Sequence, residues 1–350
     1  MKAKSFLTLL SFCFLFLMPL SLCAQEPVCG KCLKKKSNCP YRCNHPTCKT
    51  CGKVCGAKNN ACPYGGKHPK CSVCGKLKEN CAYKGKHPTC STCGRVCGAK
   101  NNPCPYGGKH PKVVFDGRDK TYTANGVSFT MKPVAGGTFT MGATSEQQDP
   151  RDDEKPTHTV TLSDYYIGET EVTQELWAAV MGSNPSGFTG DMQRPVEQVS
   201  WNDCQTFIRE LNRLTGANFR LPTEAEWEFA ARGGRNSRGY QYSGSRKLGD
   251  VAWYGEDINT GSTHPVKTKS PNELGIYDMS GNVWEWCQDW YSSSYYSSSP
   301  QNNPTGPSSG SVRVRRGGGW SYGARNCRSD FRYFYSPDHR SNYLGLRLVL

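Results

Sequence analysis

Apolar and polar residues alternate along two stretches near the middle of the chain. These are "VSFTMKPVAGGTFTMG" (127–142) and "HTVTLSDYYIGETEVT" (158–173). A period of two is typical of strands, whose successive side chains point to opposite faces of a sheet. We therefore predict strands in both stretches.

Two stretches with helical spacing follow, one beginning near Thr173 and one running from about Asn202 to Leu214. Their apolar residues recur three and four positions apart, which places them on one side of a helix. They are Leu176, Trp177, Val180 and Met181 in the first, and Cys204, Phe207, Ile208, Leu211 and Leu214 in the second.

A third helix is predicted from a capping box, Thr223-x-x-Glu226, and it should stop at Gly233. After Gly233 the chain is rich in Gly, Ser, Asn, Pro and aromatic residues and has little regular periodicity. We expect this part to be held by loop packing, tryptophan burial and hydrogen bonds from side chains to the backbone.

The first 24 residues have the pattern of a signal peptide. A short basic start precedes an apolar run from Phe6 to Leu22, and "SLCAQE" offers a cleavage site after Ala24. A retained membrane anchor is the alternative, although the run is near the lower length limit for a span. Lipidation at Cys23 is a further alternative. We predict an exported protein, whether periplasmic, cell-surface or secreted.

Charge and cysteine content divide the rest of the chain into two modules. Between Glu26 and Lys112 there are 18 Lys and Arg against two acidic residues, a net charge of +16, whereas the whole chain carries +15. The same stretch holds 15 of the 20 cysteines. We therefore assign residues 25–112 to a basic Cys/His-rich module, 113–126 to a linker and 127–350 to a second domain.

The basic module contains four repeats that align on their His-Pro pairs. Each repeat has a CxxC pair, a third cysteine and a histidine, a closed tetrahedral set for structural Zn²⁺. The repeats have few apolar residues with which to form a core, and metal binding can supply the folding energy instead. The predicted zinc ligands are Cys29, Cys32, Cys39, His45, Cys48, Cys51, Cys62, His68, Cys71, Cys74, Cys81, His87, Cys90, Cys93, Cys104 and His110. Disulfide bonding is the alternative, since export permits it.

The charge of these repeats suits an anionic surface, such as glycans or a membrane. We expect no nucleic-acid partner, because an exported protein rarely meets nucleic acid. A soluble basic stalk or docking module is the alternative interpretation of the same composition.

Six ordered motifs of the second domain resemble the formylglycine-generating enzyme, or sulfatase-modifying factor, family. They are "FTMG" (139–142), "EVTQELW" (171–177), "PVEQVSWNDC" (195–204), "RLPTEAEWEFAARGG" (220–234), "PNELGIYDMSGNVWEWCQDW" (271–290) and "RVRRGGGW" (313–320). The resemblance covers about residues 127 to 350. It implies an α+β, C-type-lectin-like formylglycine-generating-enzyme fold with low regular secondary structure.

The resemblance also implies calcium. Carried over residue by residue, one family site consists of Asp278, the backbone carbonyls of Gly281 and Val283, and Glu285. Ca²⁺ binds several oxygen ligands and accepts carbonyls, so the residue types suit it. The alternative is that the two carboxylates bond nearby backbone amides.

The family's oxidase converts a sulfatase cysteine to formylglycine with copper that two cysteines hold. In this chain the second cysteine matches Cys327, but the first matches Tyr322. One thiolate cannot reproduce a two-thiolate Cu(I) site, so we do not expect copper. Cys327 is a catalytic candidate only if the chain is an oxidase. We expect it, like Cys204 and Cys287, to be buried as a small apolar residue.

The carboxy-terminal tail also resembles the variable proteins of diversity-generating retroelements, in which asparagine codons change at adenines. The resulting codons exclude Lys, Glu, Gln, Met and Trp, and none of these occurs between Ser321 and Tyr343. The predicted ligand-binding positions are Ser321, Tyr322, Gly323, Asp330, Phe331, Tyr333, Phe334, Tyr335, Ser336, His339, Ser341, Asn342 and Tyr343. The predicted framework residues between them are Arg325, Cys327, Arg328, Arg332, Pro337, Asp338 and Arg340. About a third of the aromatic residues should pack in the core.

The leading hypothesis is an exported two-module protein whose second domain binds an unidentified protein or glycan ligand. Tyr and Phe give large contact area at low entropy cost, and Ser, Asn and Gly adapt their hydrogen bonds. The alternative is a formylglycine-generating oxidase that acts on sulfatase cysteines. A purely structural envelope protein is a third hypothesis.

Overall fold

A computed structural model describes residues 115–350 and the backbone of two short strands, Val54–Cys55 and Ala61–Cys62, which pair in parallel. The predicted signal peptide, the side chains of all the predicted zinc ligands and the start of the predicted linker lie outside the described residues. No helix in the described part of the chain is long and apolar enough to cross a bilayer.

Five strands open the second domain: β1 (Lys120–Ala124), β2 (Val127–Val134), β3 (Thr138–Met141), β4 (His158–Thr161) and β5 (Tyr165–Gly168). The strands β1, β2 and β5 form one antiparallel sheet in that order, and β3 pairs with β4 in another. Four of the five strands lie in the two alternating stretches, so the strand prediction is confirmed there.

The predicted linker is wrong in its second half, because β1 lies within residues 113–126 and pairs with β2 along its whole length. Asn125 and Gly126 form the turn between them, with φ angles of 46° and 90°. A two-residue Asn-Gly turn with positive φ at both positions suits the right-handed twist of a hairpin. The alternation around "TANG" was the signal that could have found it.

The three predicted helices are confirmed as α1 (Gln174–Met181), α2 (Trp201–Thr215) and α3 (Glu224–Ala231), and a short α4 (Leu248–Val251) follows. Each of the first three begins after a side chain that accepts a backbone N–H, namely Thr173, Ser200 and Thr223. The rings of Trp177 and Phe207 stack with centroids 4.7 Å apart, which joins α1 to α2 in the main core.

A third sheet, of four strands, forms where the sequence shows little periodicity. Its strands are β6 (Trp284–Trp290), β7 (Arg313–Arg316), β8 (Arg332–Tyr335) and β9 (Leu344–Gly345), in the order β8-β7-β6-β9. The first four residues of β6 are all buried, so the strand has no alternation to detect. The tail that carries the predicted binding positions therefore belongs to a sheet edge and its loops.

Candidate functional site

Eleven of the thirteen predicted ligand-binding positions are partly or fully exposed. They are Ser321, Tyr322, Gly323, Tyr333, Phe334, Tyr335, Ser336, His339, Ser341, Asn342 and Tyr343. They come from the loop after β7, from the edge strand β8 and from the connection to β9. We call these eleven residues the carboxy-terminal face.

Two predicted positions are corrected, because Asp330 and Phe331 are 0% and 2% exposed. The carboxylate of Asp330 accepts hydrogen bonds of 2.6 and 2.8 Å from Nη1 of Arg328. The ring of Phe331 packs against Trp284 with a centroid distance of 5.9 Å. Both belong to the core beneath the face and offer no surface to a ligand.

Four tyrosines of the face, Tyr322, Tyr333, Tyr335 and Tyr343, form what we call the tyrosine cluster. The rings of Tyr322 and Tyr343 meet edge to face at 5.1 Å, and those of Tyr333 and Tyr335 at 6.3 Å. Burial raises the pKa of Tyr343, but hydrogen bonds from Ser341, Tyr322 and Tyr335 outweigh burial and lower this pKa overall. The hydroxyls of Tyr322 and Tyr335 are therefore both linked to that of Tyr343.

The tyrosine cluster surrounds Arg315, a residue that the sequence did not single out. Arg315 pairs with Tyr333 in the β7–β8 register, so both side chains lie on one face of the sheet. Its guanidinium carbon lies 4.3, 5.0, 5.5 and 5.6 Å from the ring centroids of Tyr335, Tyr333, Tyr343 and Tyr322, and 4.1 Å from that of Trp284. Arg315 is 1% exposed.

Buried ion pairs fix the segment that carries the face. Arg328 donates to Glu154 at 2.9 Å as well as to Asp330, and Arg332 donates to Glu224 of α3 at 2.6 Å. The charged groups of both arginines and of their partners are almost completely buried. Such pairs hold a defined geometry when their hydrogen bonds are satisfied, as they are here. The face is thus anchored on the core of the domain.

The thiol of Cys327 is buried and packs with Leu248, Val251 and Ala252. Burial raises its pKa to about 12, whereas reactive cysteines are accessible and have lowered pKa values. The other two thiols of the second domain, Cys204 and Cys287, lie in two different core clusters. Among the described residues, the thiols therefore do not fit a copper site built on two thiolates.

The predicted calcium ligands lie in a buried acidic cluster. Asp278 and Glu285 are 3% and 0% exposed, and Glu171 joins them at 1%. Burial, followed by the charges of the other two carboxylates, raises the pKa of Glu171 well above its usual value. Burial also raises the pKa of Asp278 to about 6. One arginine, Arg347, acts on all three, so the ionised cluster carries excess negative charge that a divalent cation would offset.

The individual ligands fit a cation unequally. Oδ1 of Asp278 is buried and has no hydrogen-bond partner among the described residues, so this oxygen is free to coordinate a cation. Both oxygens of Glu285 already accept bonds from Arg347, and Oε2 also accepts one from Trp227. In the described part of the chain, no three His, Cys, Asp or Glu side chains converge to hold a metal ion. Asp278 therefore fits the predicted site, and Glu285 in this arrangement does not.

A cavity of about 530 Å³ lies beside the face, with Arg340 on its wall. Its apolar lining includes Trp177, Met181, Pro185 and Val199. Arg340 is held by Asp203 through hydrogen bonds of 2.7 and 2.9 Å. The cavity gives the edge of the face an apolar recess.

Comparison with known proteins places this fold in a family. The sulfatase-modifying factor enzyme 1-like domain family matches residues 123–350. The chain belongs to this family. The predicted formylglycine-generating-enzyme fold is thereby confirmed.

Proteins that resemble the chain carry different names. A formylglycine-generating enzyme of Streptomyces coelicolor is 35% identical over 61% of this chain and 87% of its own length. A protein of Paenibacillus barcinonensis named chaperone protein LppX is 38% identical over 54% of this chain and 81% of its own length. Family membership alone therefore does not select an activity.

Two solved structures share the fold. Treponema denticola variable protein 1 has a TM-score of 0.59 and 39% identity, and the match covers 66% of this chain and 98% of that one. PvdO from Pseudomonas aeruginosa has a TM-score of 0.57, with 67% and 97% covered, but at 24% identity it supports the fold alone.

Proposed function

We propose that the second domain is a recognition module that binds a protein or glycan ligand through the carboxy-terminal face. The observation that carries the proposal is the face itself. Half-buried Tyr and Phe residues lie beside Ser, Asn and Gly on an edge strand and its loops, above arginines that are ion-paired in the core. Aromatic residues at the surface of a rigid scaffold are typical of binding sites.

We further propose that this domain does not carry out the oxidase reaction of the formylglycine-generating relatives. That activity would require a second thiolate next to Cys327, and Tyr322 stands at the matching position. Tyr322 instead contacts Trp284 and Tyr343 as part of the tyrosine cluster. The burial of Cys327 and its raised pKa further support a packing role for this thiol.

Diversification of the face is part of the proposal. It is supported by the residue types between Ser321 and Tyr343 and by the 39% identity to a protein that is named a variable protein. The proposal has three further parts. The first 24 residues direct export, Asp278 binds Ca²⁺, and the repeats bind Zn²⁺. An exported recognition module would meet ligands outside the cytoplasm, where a changing surface can follow changing partners.

Peptide selection tests the recognition role. We expect a random peptide library panned on the immobilised full chain to yield clones that lose at least about tenfold in affinity when Tyr333, Tyr335 and Tyr343 are changed to Ala. Aromatic anchors at the centre of an interface often contribute more than about 2 kcal/mol each, so tenfold is a modest expectation. Affinity is measured by biolayer interferometry on purified clones.

The matched control changes Tyr240 and Tyr254 to Ala, two tyrosines of the same domain outside the face, and should leave binding within about twofold. Clones that bind the face variant as well as the unchanged chain would contradict the proposal. So would aldehyde formation on a sulfatase cysteine peptide supplied with Cu(I) and oxygen, detected by mass, if it depends on Cys327.

A further inference from the structure

Arg315 differs from the other buried arginines of residues 115–350 that lie near it. Arg316, Arg328 and Arg332 each form an ion pair with a buried carboxylate. Within the described part of the chain, Arg315 has no carboxylate within 4.0 Å. Its Nε and Nη1 atoms are buried and find no hydrogen-bond partner there.

An unpaired buried charge is energetically unfavourable. Removing an ion from water costs several kcal/mol, and the five surrounding rings offset part of that cost through cation–π contacts of about 0.5–2 kcal/mol each. The two unpartnered nitrogens still lack acceptors. An anion that reached Arg315 would therefore gain a strong, charge-assisted interaction in a region of low dielectric.

A second unpartnered atom lies in the same environment. Nε2 of His339 is buried and without a partner among the described residues. The His339 ring stacks on Tyr335 at 3.8 Å, and the guanidinium of Arg315 lies 4.3 Å from the same tyrosine ring. Burial, and then the charge of Arg315, lower the pKa of His339, which is consistent with a shared environment. Arg315 beneath the face and His339 within it thus both lack a partner that a ligand could supply.

We propose that Arg315 is an anchor for an acidic side chain, aspartate or glutamate, of a protein ligand that docks on the carboxy-terminal face. This inference rests on the proposed recognition function. The carboxylate would break the hydrogen bonds between the tyrosine hydroxyls, enter between the rings and accept hydrogen bonds from Arg315. A planar carboxylate matches the fixed geometry of a guanidinium.

The surroundings favour a protein over an anionic glycan. The cavity beside the face, with Trp177, Met181, Pro185 and Val199 in its lining, suits an apolar side chain of the same ligand. A tyrosine-rich surface is also typical of protein recognition.

Arg315 precedes the Ser321–Tyr343 segment, so changes within that segment would leave the anchor residue itself in place. A constant preference for an acidic group would then accompany a variable specificity for its surroundings.

The test uses a blocked tetraglutamate peptide and its tetraglutamine counterpart, titrated calorimetrically into the full chain. We expect Arg315→Met to weaken tetraglutamate binding at least tenfold and to leave tetraglutamine unchanged. The matched control is Arg313→Met, which removes the same charge from the same strand. Arg313 lies between Trp201 and Trp290, at 3.9 and 3.4 Å from their rings. It should change the affinity by less than about twofold, and any binding by the basic repeats is common to all variants.

Circular dichroism checks that each variant folds. If Arg315→Met does not fold, Arg315→Lys replaces it in the test. Lysine keeps the charge but not the planar guanidinium, so we expect it to lose part of the affinity for tetraglutamate. Equal affinities for the unchanged chain and the Arg315 variants would overturn the anchor. A heparin tetrasaccharide serves as the glycan probe. If its binding depends on Arg315 and the binding of tetraglutamate does not, the ligand of Arg315 is not an acidic side chain of a protein. Panned peptides that need the tyrosines but not Arg315 would overturn the anchor alone, whereas peptides that ignore the tyrosines would overturn the recognition function.

Discussion

Replacing Arg328 with methionine is expected to lower the free energy of unfolding by about 3–5 kcal/mol, because it leaves two buried carboxylates without their cation. Glu154 and Asp330 are each 0% exposed, and both accept two hydrogen bonds from Arg328. Methionine fills part of the volume but supplies no donor. Urea denaturation of the full chain, extrapolated linearly to water, measures the loss.

The matched control lies three positions earlier in the same turn, Ala324–Cys327 and its cap. Arg325 pairs with Asp149, but their side chains are 48% and 74% exposed, so Arg325→Met should cost less than about 1 kcal/mol. Losses of similar size for the two variants would show that burial of the Arg328 network does not stabilise the framework of the face.

Removal of Ca²⁺ is expected to lower the thermal midpoint of the second domain, since a cation bound at the unpartnered Oδ1 of Asp278 would offset the negative charge that Glu171 and Glu285 add nearby. An ion present at 100 times its dissociation constant stabilises the folded state by about 2.7 kcal/mol. For a domain of this size that corresponds to roughly 5–10 °C. Differential scanning calorimetry with and without a chelator measures the shift.

Asp278→Asn should abolish most of this response, because it removes the carboxylate that has a free oxygen. Mg²⁺ at the same concentration should not replace Ca²⁺, since it requires a stricter octahedral geometry. A midpoint that is insensitive to the chelator, or an Asp278→Asn variant that responds as fully as the unchanged chain, would exclude calcium at this cluster.

The first half of the second domain was predictable from the sequence because its signals are local. Alternation located β2 to β5, apolar residues at helical spacing located α1 and α2, and a capping box at Thr223 located the start of α3. The four-stranded sheet was not predictable in this way. Two of the three buried residues of β7 are arginines, and Arg316 is buried because Glu228 of α3 reaches it from a distant part of the chain.

The candidate site was likewise predictable only where its signals are local in the sequence. Residue types in the tail predicted an adaptable surface, and eleven of the thirteen positions are partly or fully exposed, but composition could not show that Asp330 and Phe331 turn inward. Arg315 could not be predicted as a site residue, because its contacts with the tyrosines depend on the β7–β8 register, which the sequence does not reveal. Glu171 joins Asp278 through tertiary contacts alone.

Sequencing the end of this gene across a population tests the central claim most directly. If the carboxy-terminal face is a diversified recognition surface, differences should cluster within Ser321–Tyr343 at the eleven exposed positions and should spare Arg315, Arg328 and Arg332. Differences spread evenly along residues 115–350, with no excess at the face, would contradict the account.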